Sequence, residues 1–370
     1  MGEPFKNFIR RETLAPLADR IAAARPGWSA SRFLDAACDG LDALELKARV
    51  IHVAEALRAH LDPDYLAALD HLLDALPPAQ VGTESFDGGM AMWPVLTFVE
   101  RHGVAHFDRS MSALRQMTSR FSAEFAVRPF LAADMDRALA TLTEWASDPN
   151  PHVRRLVSEG TRPRLPWGQQ VRGLMAEPPP SLPLLNALCR DPVLYVRRSV
   201  ANHIGDIAKA QPDLAVATVV GWIDGEDTPE ARWIARHALR HPVKIGHAGA
   251  LAAFGFHPPQ LAEVMVSILP ESIVLGDAVR VSARLKSASS DDQPLSMDLV
   301  LSFPSSSGRV SRKTFKWGTP TLPGGGVWEG EKKLPMRKVT TRRHIAGPVQ
   351  VGLQVNGQVV AEGQFHLEVG

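Results

Sequence analysis

Two carboxylates set among arginines are the groups in this chain best suited to chemistry. In the stretch Asp148–Trp167, DPNPHVRRLVSEGTRPRLPW, Arg155 and Glu159 stand four residues apart, one helical turn. Arg198, Asn202 and Asp206 repeat that spacing, and Arg232, Arg236 and Arg240 repeat it with arginine alone. Like charges one turn apart oppose each other by about 0.2–0.5 kcal/mol per pair, so an anionic partner would account for the arginine row. A solvated face balanced by Glu226, Asp227 and Glu230 is the alternative. Carboxylates among arginines suit chemistry on a polyanion: Glu159 and Asp206 can stabilise positive charge developing on a sugar and orient a water. The plainer reading is that each simply pairs with an arginine, Arg155 or Arg198. Trp167 can stack on a sugar or a base, or can fasten a loop.

These groups need elements to hold them. The spacing predicts a helix that starts on the Pro-rich cap Asp148-Pro149-Asn150-Pro151, packs Val153, Leu156 and Val157, and breaks at Gly160. Pro163 and Pro166 then fix the backbone, so Arg162, Arg164 and Trp167 follow a nearly preset path. Asp148-Pro149 with Val153-Arg154-Arg155 recurs as Asp191-Pro192 with Val196-Arg197-Arg198, 43 residues on, by subtraction (191 − 148). A period near forty with capped helices is the signature of HEAT-like repeats, whose stacked helix pairs leave a groove lined by the inner helices.

The same alternation of amphipathic helix and short breaker runs through residues 4–26, 41–60, 62–76, 93–102, 108–120 and 135–145. After Pro270 the pattern changes to strands: 274–285, 297–303, 310–317, 327–334, 349–355 and 359–369, with Asn356-Gly357 as a type I′ hairpin turn. The expected architecture is therefore a multidomain α-then-β chain. Residues 1–268 form a HEAT-like α-solenoid, and residues 269–370 an all-β immunoglobulin-like sandwich without a disulfide.

The net charge of +1 hides an asymmetry, with 28 Lys+Arg against 31 Asp+Glu before residue 271 and 13 against 9 from there on. Residues 309–343 hold ten basic residues, among them Lys313, Lys332 and Arg342, against Glu329 and Glu331. That density favours binding to a phosphate backbone, with a merely solubilising surface as the alternative. Cys38 and Cys189 suit a reducing compartment, and the absence of a long apolar run points to a soluble intracellular protein. His102 and His106 read as a helix-surface pair and Gly324-Gly325-Gly326 as a hairpin tip, so neither metal nor cofactor is expected.

Five stretches resemble the AlkC-type DNA alkylation-repair glycosylases, relatives of the AlkD-type enzymes built from HEAT-like repeats: EPFKN (3–7), GLDALELKAR (40–49), FSAEFAVRPF (121–130), HVRRLVSEGTRPRLPW (152–167) and DPVLYVRRSVANHIGDIAK (191–209). The resemblance implies a glycosylase of base excision repair that frees cationic 3-methyladenine and 3-methylcytosine from duplex DNA without swinging the base into a deep pocket. It places Glu124 with Glu159 and Asp206 around the lesion, and Trp167 and Arg155 close by. Arg162, Arg164, Arg198, Arg232, Arg236, Lys313, Lys332 and Arg342 are the expected DNA contacts. A monomer in the bacterial cytoplasm, on the nucleoid and away from membranes, is expected. The competing reading is a non-catalytic scaffold that binds nucleic acid or protein in the same groove.

Overall fold

The helices Ala30–Cys38, Tyr65–Asp74, Met135–Trp145 and Pro151–Gly160 open on side-chain caps. Ser29 accepts from the Arg32 amide at 3.3 Å, Asp64 from Ala67 at 2.8 Å, Asp134 from Arg137 at 3.1 Å and Asn150 from His152 at 2.9 Å. Each supplies an acceptor for an amide that the first turn leaves unpaired. The computed structural model describes residues 3–80, 82–83, 89–177, 179–225, 227–304, 310–338 and 344–369.

Behind the caps, apolar residues recur at helical spacing and are buried: Phe33, Leu34 and Ala37; Val50, Val53, Ala54 and Leu57; Ala138, Leu142 and Trp145. The helices pack on their neighbours in succession. Leu46–His60 lies against Ala30–Cys38 and Trp93–His102, and Pro151–Gly160 against Met135–Trp145 and Leu194–Ile207, which in turn meets Pro229–Ala238. This neighbour-on-neighbour stacking is that of a HEAT-like solenoid. No helix among the described residues is long and apolar enough to cross a membrane.

Helical readings are corrected in three places: besides the two that follow, residues 41–60 break at Leu44 and Glu45, extended backbone between a 3-10 turn, Leu41–Ala43, and the helix Leu46–His60. Residues 4–26 are not one helix: a 3-10 turn, Phe5–Phe8, gives way to extended backbone at Ile9 before the helix Arg11–Ala24. Thr13 closes the joint, its hydroxyl donating to Phe8 O at 2.9 Å and accepting from the Arg10 amide at 3.1 Å. Likewise Arg240 does not share a helix with Arg232 and Arg236. That helix ends at Ala238, and Arg240 opens a separate short helix, Arg240–Lys244.

The C-terminal part folds into two main sheets. In chain order the strands are β1 (Leu261–Leu269), β2 (Ser272–Val274), β3 (Ala278–Ser287), β4 (Gln293–Pro294), β5 (Met297–Phe303), β6 (Ser311–Gly318), β7 (Thr321–Leu322), β8 (Val327–Pro335), β9 (Gly347–Val355) and β10 (Gln358–Glu368). One sheet runs β1-β3-β8, the other β2-β10-β9-β5-β6, and β4 pairs with β7. Pairing is antiparallel except between β2 and β10. Val279, Val281 and Leu285 of the first sheet share one core with Leu299, Leu301, Val351 and Leu353 of the second, so the two layers form a sandwich. The hairpin between β9 and β10 turns at Asn356 and Gly357, both at positive φ as a type I′ turn requires. The chain divides into two compact units, Met1–Ile207 with Trp222–Ala238 and Ala208–Gly221 with Leu239–Gly370.

Candidate active site

Glu159 sits in the last turn of the helix Pro151–Gly160, whose end lies hard against the segment before residue 128. A Cβ on Gly160 would stand 2.6 Å from Val127 Cγ1, so only glycine permits that approach. Asp206 occupies the last turn of the adjoining helix Leu194–Ile207. Glu124 lies in the turn before the helix Arg128–Ala133.

Two arginines tie these carboxylates into one ladder. Arg155 Nη1 donates to Glu124 Oε2 at 2.7 Å and to Ser122 Oγ at 2.8 Å, and Ser122 Oγ donates to the same Glu124 oxygen at 2.8 Å. Arg155 Nη2 stands 3.5 Å from Glu159 Oε2, which accepts from Ser199 Oγ at 2.7 Å. Arg162 Nη1 donates to Glu159 Oε1 at 2.7 Å, while its Nε donates to Asp206 Oδ2 at 2.8 Å. The order is thus Glu124, Arg155, Glu159, Arg162, Asp206, with Arg155 also 5.0 Å from the centre of the Tyr195 ring.

Glu159 and Asp206 are only 5% and 3% exposed. Burial alone would favour the acid form of Glu159, but the charges of Arg155 and Arg162 and the Ser199 hydroxyl outweigh it and hold the pKa below the usual carboxylate range. Burial disfavours the Arg155 and Arg162 cations as well, and their carboxylate partners reverse that. Glu124 differs. With Ser122, Phe121, Phe125, Met92 and Arg155 it lines a cavity of about 790 Å³, and its Oε1 has no hydrogen-bond partner among the described residues.

A second layer supports the ladder. Arg128, 1% exposed, donates from Nη1 to Gly160 O at 2.7 Å and Arg162 O at 3.0 Å, and from Nε to Gln169 O at 2.5 Å. Burial, reinforced by the charge of Arg162, lowers its pKa to about 10, so it remains a cation at neutral pH. Three carboxylates against Arg155 and Arg162 leave one negative charge, which Arg128 cancels. A cationic guest would therefore meet the local face of Glu124 rather than an excess of charge. Beneath Asp206, fully buried His203 has Nδ1 2.9 Å from Ser158 O and Nε2 3.1 Å from Ser181 Oγ, and burial holds its pKa at about 4.

Comparison with known proteins decides the family. The chain is 32% identical over 364 residues to the uncharacterized protein YhaZ of Bacillus subtilis (strain 168), covering 98% of this chain and 99% of that one. A structure of the Pseudomonas fluorescens alkylpurine DNA glycosylase AlkC, bound to DNA containing an abasic site analog, superposes with a TM-score of 0.85 at 34% identity. It covers 99% of this chain and 100% of that one. The chain belongs to the AlkC family. Residues 263–369 match the family model described as "Uncharacterised protein YhaZ, C-terminal Ig-like domain", so the sandwich of this AlkC-family chain is immunoglobulin-like.

Within the AlkC-family fold, Glu124, Arg155, Glu159, Arg162 and Asp206 come together, and Asp206 takes Arg162 as its partner. Trp167 shares a smaller cavity, about 210 Å³, with Lys47, Trp93, Glu100 and Phe125. Arg164, Arg198 and Arg236 are exposed and lie outside the ladder. Arg232 is exposed and held by Asp227. Lys313 is exposed on β6, Lys332 on β8 donates to Lys316 O at 2.6 Å, and Arg342 lies outside the described residues. Ser122, Ser199, Tyr195, Arg128 and His203 were not among the expected site residues. All five lie in the segments that carry the AlkC resemblance, but spacing along single helices gives them no role.

Proposed function

We propose that this protein is an alkylation-repair DNA glycosylase that hydrolyses the N-glycosidic bond of cationic bases, 3-methyladenine and 3-methylcytosine, in duplex DNA without rotating the base into a deep pocket. The observation that carries the reading is the ladder. Three carboxylates from separate segments converge on two arginines in a chain 34% identical to an alkylpurine DNA glycosylase. A methylated base is already positive and leaves readily, so the enzyme's task is to stabilise the sugar cation and place a water. Glu124, with cavity access, is suited to meet that cation. Glu159 and Asp206 hold Arg155 and Arg162 in place behind it. Exposed Arg164, Arg198, Arg236 and Lys313 are suited to phosphate contacts.

A second reading draws on the same ion pairs. Because Glu159 is saturated by Arg155, Arg162 and Ser199, the ladder can also be the structural spine of a non-catalytic nucleic-acid-binding scaffold. The test is to incubate the intact protein, and its Glu159→Gln variant, with methylated duplex DNA and quantify freed bases by mass spectrometry. Release by the intact protein that collapses in a folded, DNA-binding variant supports the glycosylase. Binding without release from the intact protein selects the scaffold.

A further inference from the structure

We infer that Arg128 is a positioning residue that brackets the segment Gly160–Gln169 and, together with Lys47, presents Trp167 to DNA; this rests on the glycosylase reading for its purpose but not for its geometry.

A fully buried guanidinium is expensive unless something compensates its lost hydration. Arg128 forms no ion pair among the described residues; its donors go to three backbone carbonyls. Those carbonyls belong to Gly160 and Arg162 at one end of a loop and Gln169 at the other, so one rigid fork joins both ends. A lysine, a point charge on a flexible stem, could not span them.

What the fork closes is a strained element. Trp167 has φ 64°, in the left-handed region, and its side chain is 61% exposed. A left-handed non-glycine residue costs about 1–2 kcal/mol, and a mostly exposed indole has little burial to set against it. Tethers on the neighbouring backbone supply the compensation. Buried Leu165 pins the middle of the loop, and Lys47 Nζ, reaching from the helix Leu46–His60, donates to the Trp167 carbonyl. The same ammonium lies 5.9 Å from the centre of the Phe125 ring, beside Glu124. Arg162 also belongs to the carboxylate ladder, so the bracket sets the indole and the ladder in one frame. A large exposed aromatic, held in an unfavourable backbone conformation by a buried cation, suits insertion or stacking against a nucleic acid.

Three variants test this, Arg128→Met, Arg128→Lys and Lys47→Met, alone and combined with Trp167→Ala. The readouts are native-state trypsin cleavage at Arg164–Leu165, affinity for duplex DNA carrying an abasic analogue, and melting temperature. Cleavage should be at least about tenfold faster and affinity about tenfold weaker in Arg128→Met, from loss of charge-assisted hydrogen bonds. Arg128→Lys should fail to restore either. In the Trp167→Ala background the affinity losses should vanish, because Arg128 and Lys47 both act through that one side chain. Should Arg128→Met unfold globally, Lys47→Met, whose residue is exposed on its helix, decides: selective cleavage at this loop with weakened binding is expected. Wild-type cleavage and affinity in Lys47→Met, full rescue by Arg128→Lys, or losses that add to that of Trp167→Ala would overturn the inference. Loop and binding effects in a protein that frees no base would retain the bracket and discard the reaction.

Discussion

His203 makes the buried layer under the site measurable by pH alone. Its ring is fully enclosed between Ser158 O and Ser181 Oγ, and burial lowers its pKa from an ordinary 6.5 to about 4. The folded state therefore stays unprotonated while the unfolded chain takes up a proton below about pH 6.5. For a base whose folded pKa is depressed, the stability is complete above the unfolded pKa and falls as pH drops towards the folded one. Each pH unit in that window is worth about 1.4 kcal/mol, so moving from pH 7 to pH 5 removes roughly 2 kcal/mol through this residue alone. Urea denaturation of the intact protein and of His203→Gln at pH 7 and pH 5 isolates the contribution. The variant starts less stable, and its loss between the two pH values should be smaller by about that amount. Equal losses in the two proteins would show that His203 takes up its proton within the fold and refute the argument from burial.

Glu159 titrates in a different window. Its folded pKa lies below the usual carboxylate value, so its stabilisation is present above about pH 4.3 and lost as pH falls below that, which an acid-unfolding series of Glu159→Gln against the parent would resolve. Gly160→Ala should destabilise by about 1–3 kcal/mol, since the new methyl meets Val127 Cγ1 at 2.6 Å, and Val127→Ala in the same chain should recover much of it by melting temperature. Glu124→Gln should keep DNA affinity while lowering the single-turnover rate of base release about a hundredfold, as expected for loss of one electrostatic contact at the transition state. Lys313→Ala should reduce the slope of log affinity against log salt by about one, measured by fluorescence anisotropy on undamaged duplex.

Much of this architecture follows from local pattern. The helices Trp93–His102 and Met135–Trp145 and the strand β5 match their sequence-derived bounds, because each is a clean periodic run between strong breakers. β1 escaped notice. It begins Leu261-Ala262-Glu263, and a register shift between Leu261 and Glu263 interrupts the period-two alternation that Val264, Val266 and Ile268 then resume. The site was legible in parts. Arg155 and Glu159 share a helix, so their proximity follows from a four-residue spacing. Arg162 meets Asp206 across 44 residues, and Ser199 meets Glu159 across 40, pairings that only the stacking of two helices creates. Arg128 is less legible still, because its partners are backbone carbonyls, which carry no residue identity.

The ladder also limits how this protein can change. Each of Glu159, Arg162 and Asp206 is enclosed and holds a neighbour of opposite sign, so replacing one strands a charge at a cost of about 3–5 kcal/mol, a large share of a domain's whole stability. Single-step routes that alter the charge order therefore pass through markedly destabilised intermediates, while exposed Arg164, Arg198 and Arg236 can drift one at a time within about 0.5 kcal/mol. Any redesign of what the cavity beside Glu124 accepts will have to exchange the inner rungs as a set, or leave them untouched and work from the rim.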